Sequence, residues 1–196
     1  MTAIGIIGED KTDCDTVAIL VRRVLDAMQV EHIGLPMRYP ARGGCGQLRR
    51  KAPAFLNALF KAGCSAAIFL HDLDLNPVTG DLNDAEKLRR QLEAIEAPRR
   101  LKRHICIPIE EIEAWFWSDQ AVLDLIGRGQ GKSSASPHTI RQPKEALQRL
   151  SRRAHNKCIY STNDNPKLAE KLDLDLCAKH CPAFCDLRGF VQQVLA

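Results

Sequence analysis

Short apolar segments of strand character alternate with amphipathic helical segments through the first 126 residues of this 196-residue chain, and that alternation restricts the fold most. Residues 4–7 form a β-branched run that ends at Gly8, as a buried strand does. Residues 12–29 then carry Val17, Leu20, Val21, Val24, Leu25 and Met28 at helical spacing. A second apolar segment covers 32–37, and the Gly- and Pro-rich stretch 38–46 reads as a loop. A helix follows over 48–61, with Pro53 as its start or a kink. Residues 66–70 form a third strand, 84–96 a charged helix, 105–109 a fourth strand and 110–126 a helix. Strand and helix in turn predict an α/β fold: a Rossmann-like, largely parallel sheet with flanking helices.

Beyond that domain, 1–126, the expectation is a flexible basic linker over 127–142 and a helical C-terminal extension over 143–196. The extension carries helical segments at 144–153, 166–172 and 183–195, so the tail reads as a helical appendage. Apolar residues make up 45% of the chain and charged residues 27%, enough for a packed core and against wholesale disorder. No apolar stretch approaches the roughly 18 residues that span a bilayer, and the amino terminus lacks the basic start and cleavage site of a signal peptide. A cytoplasmic protein with no membrane partner is expected, its eight cysteines reduced. Cys177, Cys181 and Cys185, spaced by four beside His180, mark one helix face; zinc is an alternative, but no C-x-x-C pair supports it.

The carboxylates are placed more tellingly than the cysteines. Glu9 and Asp10 follow the first strand, with Asp13 one helical turn beyond Glu9. Asp72 and Asp74 follow the third strand, and Glu110, Glu111 and Glu113 follow the fourth. In a parallel sheet the carboxyl ends of the strands share one edge, where ligands bind. Carboxylates gathered there repel one another unless a cation intervenes, and Mg²⁺ or Mn²⁺ prefers such hard oxygen ligands. Two such ions orient a water and stabilise the leaving oxygen in phosphodiester cleavage. Helix capping explains Glu9–Asp13 and Glu110–Glu113 equally well. It explains Asp72-Leu73-Asp74 less well, because two carboxylates on one side of a loop gain little as caps.

Three segments carry a family resemblance: Gly5-Ile6-Ile7-Gly8-Glu9-Asp10-Lys11-Thr12-Asp13, Ile68-Phe69-Leu70-His71-Asp72-Leu73-Asp74, and Pro108-Ile109-Glu110-Glu111-Ile112-Glu113-Ala114-Trp115. They resemble the Toprim fold, and more narrowly small stand-alone bacterial Toprim-like proteins related to the nuclease domain of OLD-family (overcoming lysogenization defect) proteins. The pattern is a glutamate after strand one, Asp-x-Asp after strand three and a glutamate-rich helix start before Trp. Gly8-Glu9-Asp10 departs from the usual glutamate-glycine start. The resemblance implies Glu9, Asp13, Asp72 and Asp74 around one Mg²⁺ or Mn²⁺, and Glu111 and Glu113 near a second. It also implies Glu9, Asp72 and Asp74 as catalytic groups, with Glu9 as general base, general acid or ligand. Topoisomerases of this fold need a nucleophilic tyrosine on another domain, and this chain has only Tyr39 and Tyr160. Primases need template-handling modules that 196 residues hardly allow. A nuclease is therefore expected. Its relatives suggest a separately encoded ABC-type ATPase and a role in defence against phages or plasmids. The alternatives are a non-catalytic subunit that binds nucleic acid or such an ATPase, and a small-molecule phosphohydrolase.

Net charge is only +4, yet residues 128–157 hold eight Lys or Arg against the single acid Glu145. The nucleic-acid candidates are Lys144, Arg149, Arg152 and Arg153 there, and Arg42, Arg49 and Arg50 around the glycine stretch. Such patches hold phosphate backbones; a solvated helix face is the competing reading. With 5% aromatic residues, base stacking is not expected, and contact falls on the backbone. The stretch Gly127-Arg128-Gly129-Gln130-Gly131-Lys132-Ser133 is no P-loop: Ile126 stands where its first glycine belongs, and a helix rather than a strand precedes it. Trp115 and Trp117 read as core anchors, and His71 as a group placed to assist Asp72.

Overall fold

The computed structural model describes residues 3–30, 37–41, 44–153 and 157–195. Four strands, β1 (Ala3–Gly8), β2 (Met37–Pro40), β3 (Cys64–Leu70) and β4 (Lys102–Cys106), form one sheet in the order β2-β1-β3-β4. All three pairings are parallel, with Ile6 opposite Arg38 and Ile68, and Phe69 opposite Ile105. The α/β expectation holds. Strand order reverses between β1 and β3, so the switch point of the sheet lies between the strands that lead into Glu9 and Asp72.

Alternation along β1 divides the core. Ile4 and Ile6 face α1 (Lys11–Ala27), whose Val17, Leu20, Val21, Val24 and Leu25 are all buried. Each such side chain contributes about 1.5–3 kcal/mol on burial. Ile7 faces the opposite layer, where α2 (Gly44–Lys61) and α3 (Ala85–Glu93) pack through Leu48, Leu56, Leu59, Leu88 and Leu92. Gly5 permits that approach: a Cβ there would stand 2.3 Å from Leu59 Cδ2.

Residues from 143 onward fold onto the α1 face. After α4 (Gln120–Gly127) come α5 (Pro143–Leu150), α6 (Asn165–Ala169), α7 (Leu174–His180) and α8 (Pro182–Leu195). Leu147, Leu168, Leu172, Phe184, Leu187 and Val191 share one core with α1 and the sheet. Arg23 of α1 donates to the carbonyls of Ala169 and Leu172 at 2.8 and 2.6 Å, satisfying the end of α6. The segment before α5 is bonded to the body: Ser133 N donates to Gln120 Oε1 at 2.9 Å and Ser134 N to the Trp117 carbonyl at 2.8 Å.

Several local expectations are corrected. β2 falls on Met37–Pro40, with Arg38, Tyr39 and Pro40 in the expected loop, α2 begins at Gly44, which leaves Pro53 in a helix interior, and the fourth strand lies at Lys102–Cys106 in place of 105–109. Apart from Met37, the predicted strand 32–37 lies outside the described residues, as do Arg42 and Gly43. The expected helix 110–126 is a 3₁₀ helix, Ile112–Ser118, followed by α4. Asp119 interrupts it because its carboxylate accepts from Ala121 N at 2.8 Å and from Asp173 N at 2.8 Å. Cys177, Cys181 and Cys185 do not share one helix. Cys181 precedes Pro182, which disfavours helical backbone at 181, so α7 stops and α8 starts with the proline.

Candidate metal and phosphate site

Glu9 leaves the sheet directly after β1, and the close packing of Gly8 sets its position. A Cβ on Gly8 would stand 2.8 Å from Cys14 Sγ, so glycine lets the first turn of α1 sit against the strand end. Asp10 caps that turn, accepting from Asp13 N at 2.9 Å. Asp13 therefore returns over the strand end, one turn above Glu9.

Pairing of β3 with the chain after β4 continues past the sheet. His71 N donates to the Cys106 carbonyl at 3.1 Å, Leu73 N to the Pro108 carbonyl at 2.8 Å, and Leu73 bridges Ile109. Asp72 is thus fixed on extended backbone between two ladder bonds. Its neighbour His71 is buried, and the His71 Nδ1 lies 2.8 Å from the Asp72 carbonyl. Asp74 is exposed, and its carbonyl accepts from Asn83 N and Nδ2.

The three glutamates after β4 diverge. Glu110, at φ 58°, turns back to accept from Gln142 N at 2.7 Å and to pair with Arg141 Nε at 3.3 Å. Glu111 forms an ion pair with Lys144 and accepts from Lys144 N at 3.3 Å. Glu113, 4% exposed, accepts from Asn165 Nδ2 at 3.0 Å.

Electrostatics ties the parts together. Burial, then the charges of Asp74 and Asp10, pushes the Glu9 carboxyl up to about 7, with Arg49 opposing. Burial, then Asp10, Glu113, Glu9 and Glu111, pushes Asp13 up to about 8. Asp72 is driven well above the carboxylate range by burial, followed by Asp13, Glu113, Glu9 and Glu111. Glu113 is raised by burial, against the hydrogen bond from Asn165. Seven carboxylates, from three strand ends and the first turn of α1, are therefore linked by charge at one sheet edge. Two buried oxygens among them, Glu9 Oε1 and Asp72 Oδ1, have no hydrogen-bond partner among the described residues.

Among the described residues, no three His, Cys, Asp or Glu side chains form a ready-made metal-ligand group. The chemistry of the donors nevertheless fits Mg²⁺ or Mn²⁺: hard oxygens, mutual repulsion and two unsatisfied buried acceptors. Glu9, Asp13 and Asp72, with exposed Asp74 beside Asp72 in the cleft, are the side chains that could hold one ion; Glu113, and Glu111 if released from Lys144, could serve a second.

A polar cleft of about 460 Å³ opens beside this edge, walled by Arg49 on α2 and by Lys87 and Gln91 on α3, with His71, Asp72 and Asp74 at its base. Arg49 Nη1 donates to Gln91 Oε1 at 3.1 Å across it. Lys87 and Gln91 are additions to the site, hidden in the sequence within an ordinary charged helix. Asn165 is another, 52 residues from the glutamate it contacts, with no local signal.

The basic candidates separate. Arg49 lines the cleft and Arg50 bonds Gln47 at 2.6 Å. Lys144 is paired with Glu111, and Arg153 donates to the Ile126 carbonyl at 3.0 Å. Arg149 and Arg152 are exposed and form no ion pair with another described residue. Arg42 lies outside the described residues. Trp115 is buried in the core, and Trp117 packs against it with its Nε1 donating to the Pro143 carbonyl at 3.3 Å. Cys177 and Cys181 are buried in the same core and Cys185 is exposed.

A family model described as "Domain of unknown function (DUF4276)" matches residues 8–192. No curated protein and no solved structure matches the chain.

Proposed function

The chain belongs to the DUF4276 family, a domain of unknown function, and we propose that it is a divalent-metal-dependent nuclease that hydrolyses phosphodiester bonds at the carboxylate edge of its sheet. One observation carries the reading: two buried carboxylate oxygens at strand ends, Glu9 Oε1 and Asp72 Oδ1, have no hydrogen-bond partner among the described residues, and burial with neighbouring charges raises the proton affinities of Glu9, Asp13 and Asp72. Burying such a group of acids is costly without a compensating cation. The side chains proposed to hold Mg²⁺ or Mn²⁺ are Glu9, Asp13, Asp72 and Asp74, with Glu111 and Glu113 toward a second ion. When bound, the ion would neutralise the carboxylates, polarise phosphoryl oxygens and ease deprotonation of a water.

Glu9, with a carboxyl titrating at about 7, stands where it can accept or return a proton near neutral pH. Arg49 and Lys87 supply positive charge on the two walls of the cleft for a phosphate entering above Asp72 and Asp74. Phe, Tyr and Trp are absent from the described lining, which supports backbone contact without base reading. Exposed Arg149 and Arg152, outside the cleft, are further candidates for backbone contact. A separately encoded ATPase partner and a role in defence against phages or plasmids rest on the sequence resemblance alone.

The second reading is a non-catalytic subunit that binds nucleic acid or such an ATPase. It is favoured by the Lys144–Glu111 ion pair, an internal cation already placed among the acids. Cleavage assays decide. Supercoiled DNA, single-stranded DNA and RNA are incubated with Mn²⁺, with and without a co-purifying ATPase, using wild type and Asp72→Asn. Metal-dependent cutting lost in Asp72→Asn supports the nuclease. Binding without cutting under every condition supports the subunit.

A further inference from the structure

A buried chain of hydrogen bonds reaches the carboxylate cluster from the C-terminal helical region. Tyr160 Oη donates to Asn165 Oδ1 at 2.6 Å, and Asn165 Nδ2 donates to Glu113 Oε1 at 3.0 Å. Tyr160, Asn165 and Glu113 are 5%, 0% and 4% exposed. The order of donors is fixed by chemistry. A carboxylate only accepts, so the amide must turn its NH₂ to Glu113, and its carbonyl then takes the phenol proton.

Both intermediaries are themselves held. Ser151, fully buried, accepts at Oγ from Ile159 N at 3.2 Å and from Tyr160 N at 3.1 Å, which fixes the backbone of the tyrosine. Asp164 Oδ2 accepts from Ser161 N at 2.9 Å in a capping box, which closes the turn Thr162–Asp164 directly before Asn165. Asn165 opens α6, which packs on α1, the helix that carries Asp13. A fully buried amide is costly to place unless each of its polar ends is satisfied, and here one end is satisfied by the glutamate. Nothing in the packing of α6 calls for an amide at this point: Leu168 and Ala169, the other buried residues of α6 besides Asn165, are apolar.

We propose that Asn165, aligned by Tyr160, is a positioning residue that presents the Glu113 carboxylate to the metal site, so that the C-terminal helical region completes a site otherwise built from the sheet. The inference rests on the metal-site reading above. Side chains that orient a ligand in this way typically change metal affinity about 10–100-fold when removed.

The test is Mn²⁺ affinity, measured by calorimetric titration of the full chain and expressed per folded molecule. Asn165→Leu keeps the approximate volume and removes both hydrogen bonds; it is expected to weaken Mn²⁺ binding about tenfold or more. Tyr160→Phe removes only a hydroxyl, keeps the fold if the leucine variant does not, and is expected to weaken binding in the same direction by less. Leu187→Ala, which loosens the same core on α8 without touching the chain of bonds, lowers thermal stability and leaves Mn²⁺ affinity unchanged. Wild-type affinity in folded Asn165→Leu or Tyr160→Phe, or an equal loss in Leu187→Ala, overturns the inference while the metal site stands. No Mn²⁺ uptake by wild type overturns the metal site and this inference with it.

Discussion

His71 Nδ1 stands 3.3 Å from Glu9 Oε1, yet the imidazole directs its proton to the Asp72 carbonyl, 2.8 Å away. A carbonyl only accepts, so Nδ1 carries the hydrogen and the buried Nε2 is left without a partner among the described residues. Burial lowers the pKa of His71, with Arg49 adding to the effect against the opposing Asp72 hydrogen bond and Asp74 charge. The group nearest to serving as a counter-ion for Glu9 is therefore neutral around pH 7. Arg49 is then the cation whose charge opposes the raised Glu9 carboxyl, and Lys144 is held by Glu111, so Glu9, Asp13 and Asp72 form no ion pair with Lys or Arg among the described residues, as the proposed binding role requires.

Mn²⁺ should accordingly stabilise the protein. A ligand at 100 times its Kd contributes about 2.7 kcal/mol, which for a chain of this length raises Tm by about 5–10 °C. Asp72→Asn should remove that rise while raising the Tm of the metal-free protein at pH 8, since it removes an acid whose ionised form is penalised by burial and by its acidic neighbours. Differential scanning fluorimetry with and without millimolar Mn²⁺ checks both. A wild-type Tm indifferent to the ion, or an Asp72→Asn protein that still responds, would reject the site.

Stability should also run with pH in a set direction. Glu9 and Asp13 titrate at about 7 and about 8 in the folded chain, against the ordinary carboxylate range near 4 when unfolded. Folded protein thus binds more protons than unfolded protein between these limits, so stability present at pH 4–5 is lost as pH rises through 7 to 8. Metal-free Tm should fall across pH 5–8, and Mn²⁺ should flatten the fall because it needs the deprotonated groups. A Tm rising from pH 5 to 8 without metal would contradict the raised proton affinities.

β1 and β3 were legible in the sequence because each is a β-branched or apolar run cut off by Gly or Asp, and the carboxyl edge of the sheet followed from the parallel order. β2 and β4 were less so: Arg38, Tyr39 and Pro40 form an edge strand with exposed or half-buried residues and no hydrophobic signature, and β4 begins at Lys102, so only Ile105 and Cys106 of the expected strand 105–109 lie in it. Glu9, Asp13 and Asp72 were legible as strand-end acids. The divergence of Glu110, Glu111 and Glu113 was not, since it depends on a left-handed turn at Glu110 and on partners from residues 141 to 165. Pro182 did announce the break between α7 and α8, yet the even spacing of the cysteines suggested continuity.

Basic residues that looked alike in the sequence should behave differently. Charge reversal at Arg149 and Arg152, both exposed, should weaken duplex binding uniformly across sequences and flatten its dependence on salt. Arg153→Glu should chiefly lower stability, because its guanidinium satisfies the Ile126 carbonyl near the end of α4. Electrophoretic or fluorescence titrations at several salt concentrations, paired with melting curves, separate the two. An unchanged salt slope in the Arg149/Arg152 variant would make that surface a solvated helix face.

Glu9 decides between catalysis and binding. It sits on the first residue after β1, beside Asp13 and His71, with one buried oxygen unsatisfied and a carboxyl titrating at about 7. A group in that state suits proton transfer at neutral pH, and it also stands among the side chains proposed to hold the ion. Glu9→Gln keeps the shape and removes both capacities. The phosphate contacts proposed for Arg49, Lys87, Arg149 and Arg152 do not involve Glu9, so nucleic-acid affinity should fall far less than turnover. Turnover should fall by about 10²–10⁴-fold from loss of acid–base chemistry alone. The readouts are Mn²⁺-dependent cleavage and, separately, binding of an uncleaved strand in the presence of Ca²⁺. Glu9→Gln that cuts as fast as wild type removes Glu9 from the chemistry. Glu9→Gln that loses affinity in step with cleavage makes Glu9 a structural carboxylate at the start of α1, beside the Asp10 cap.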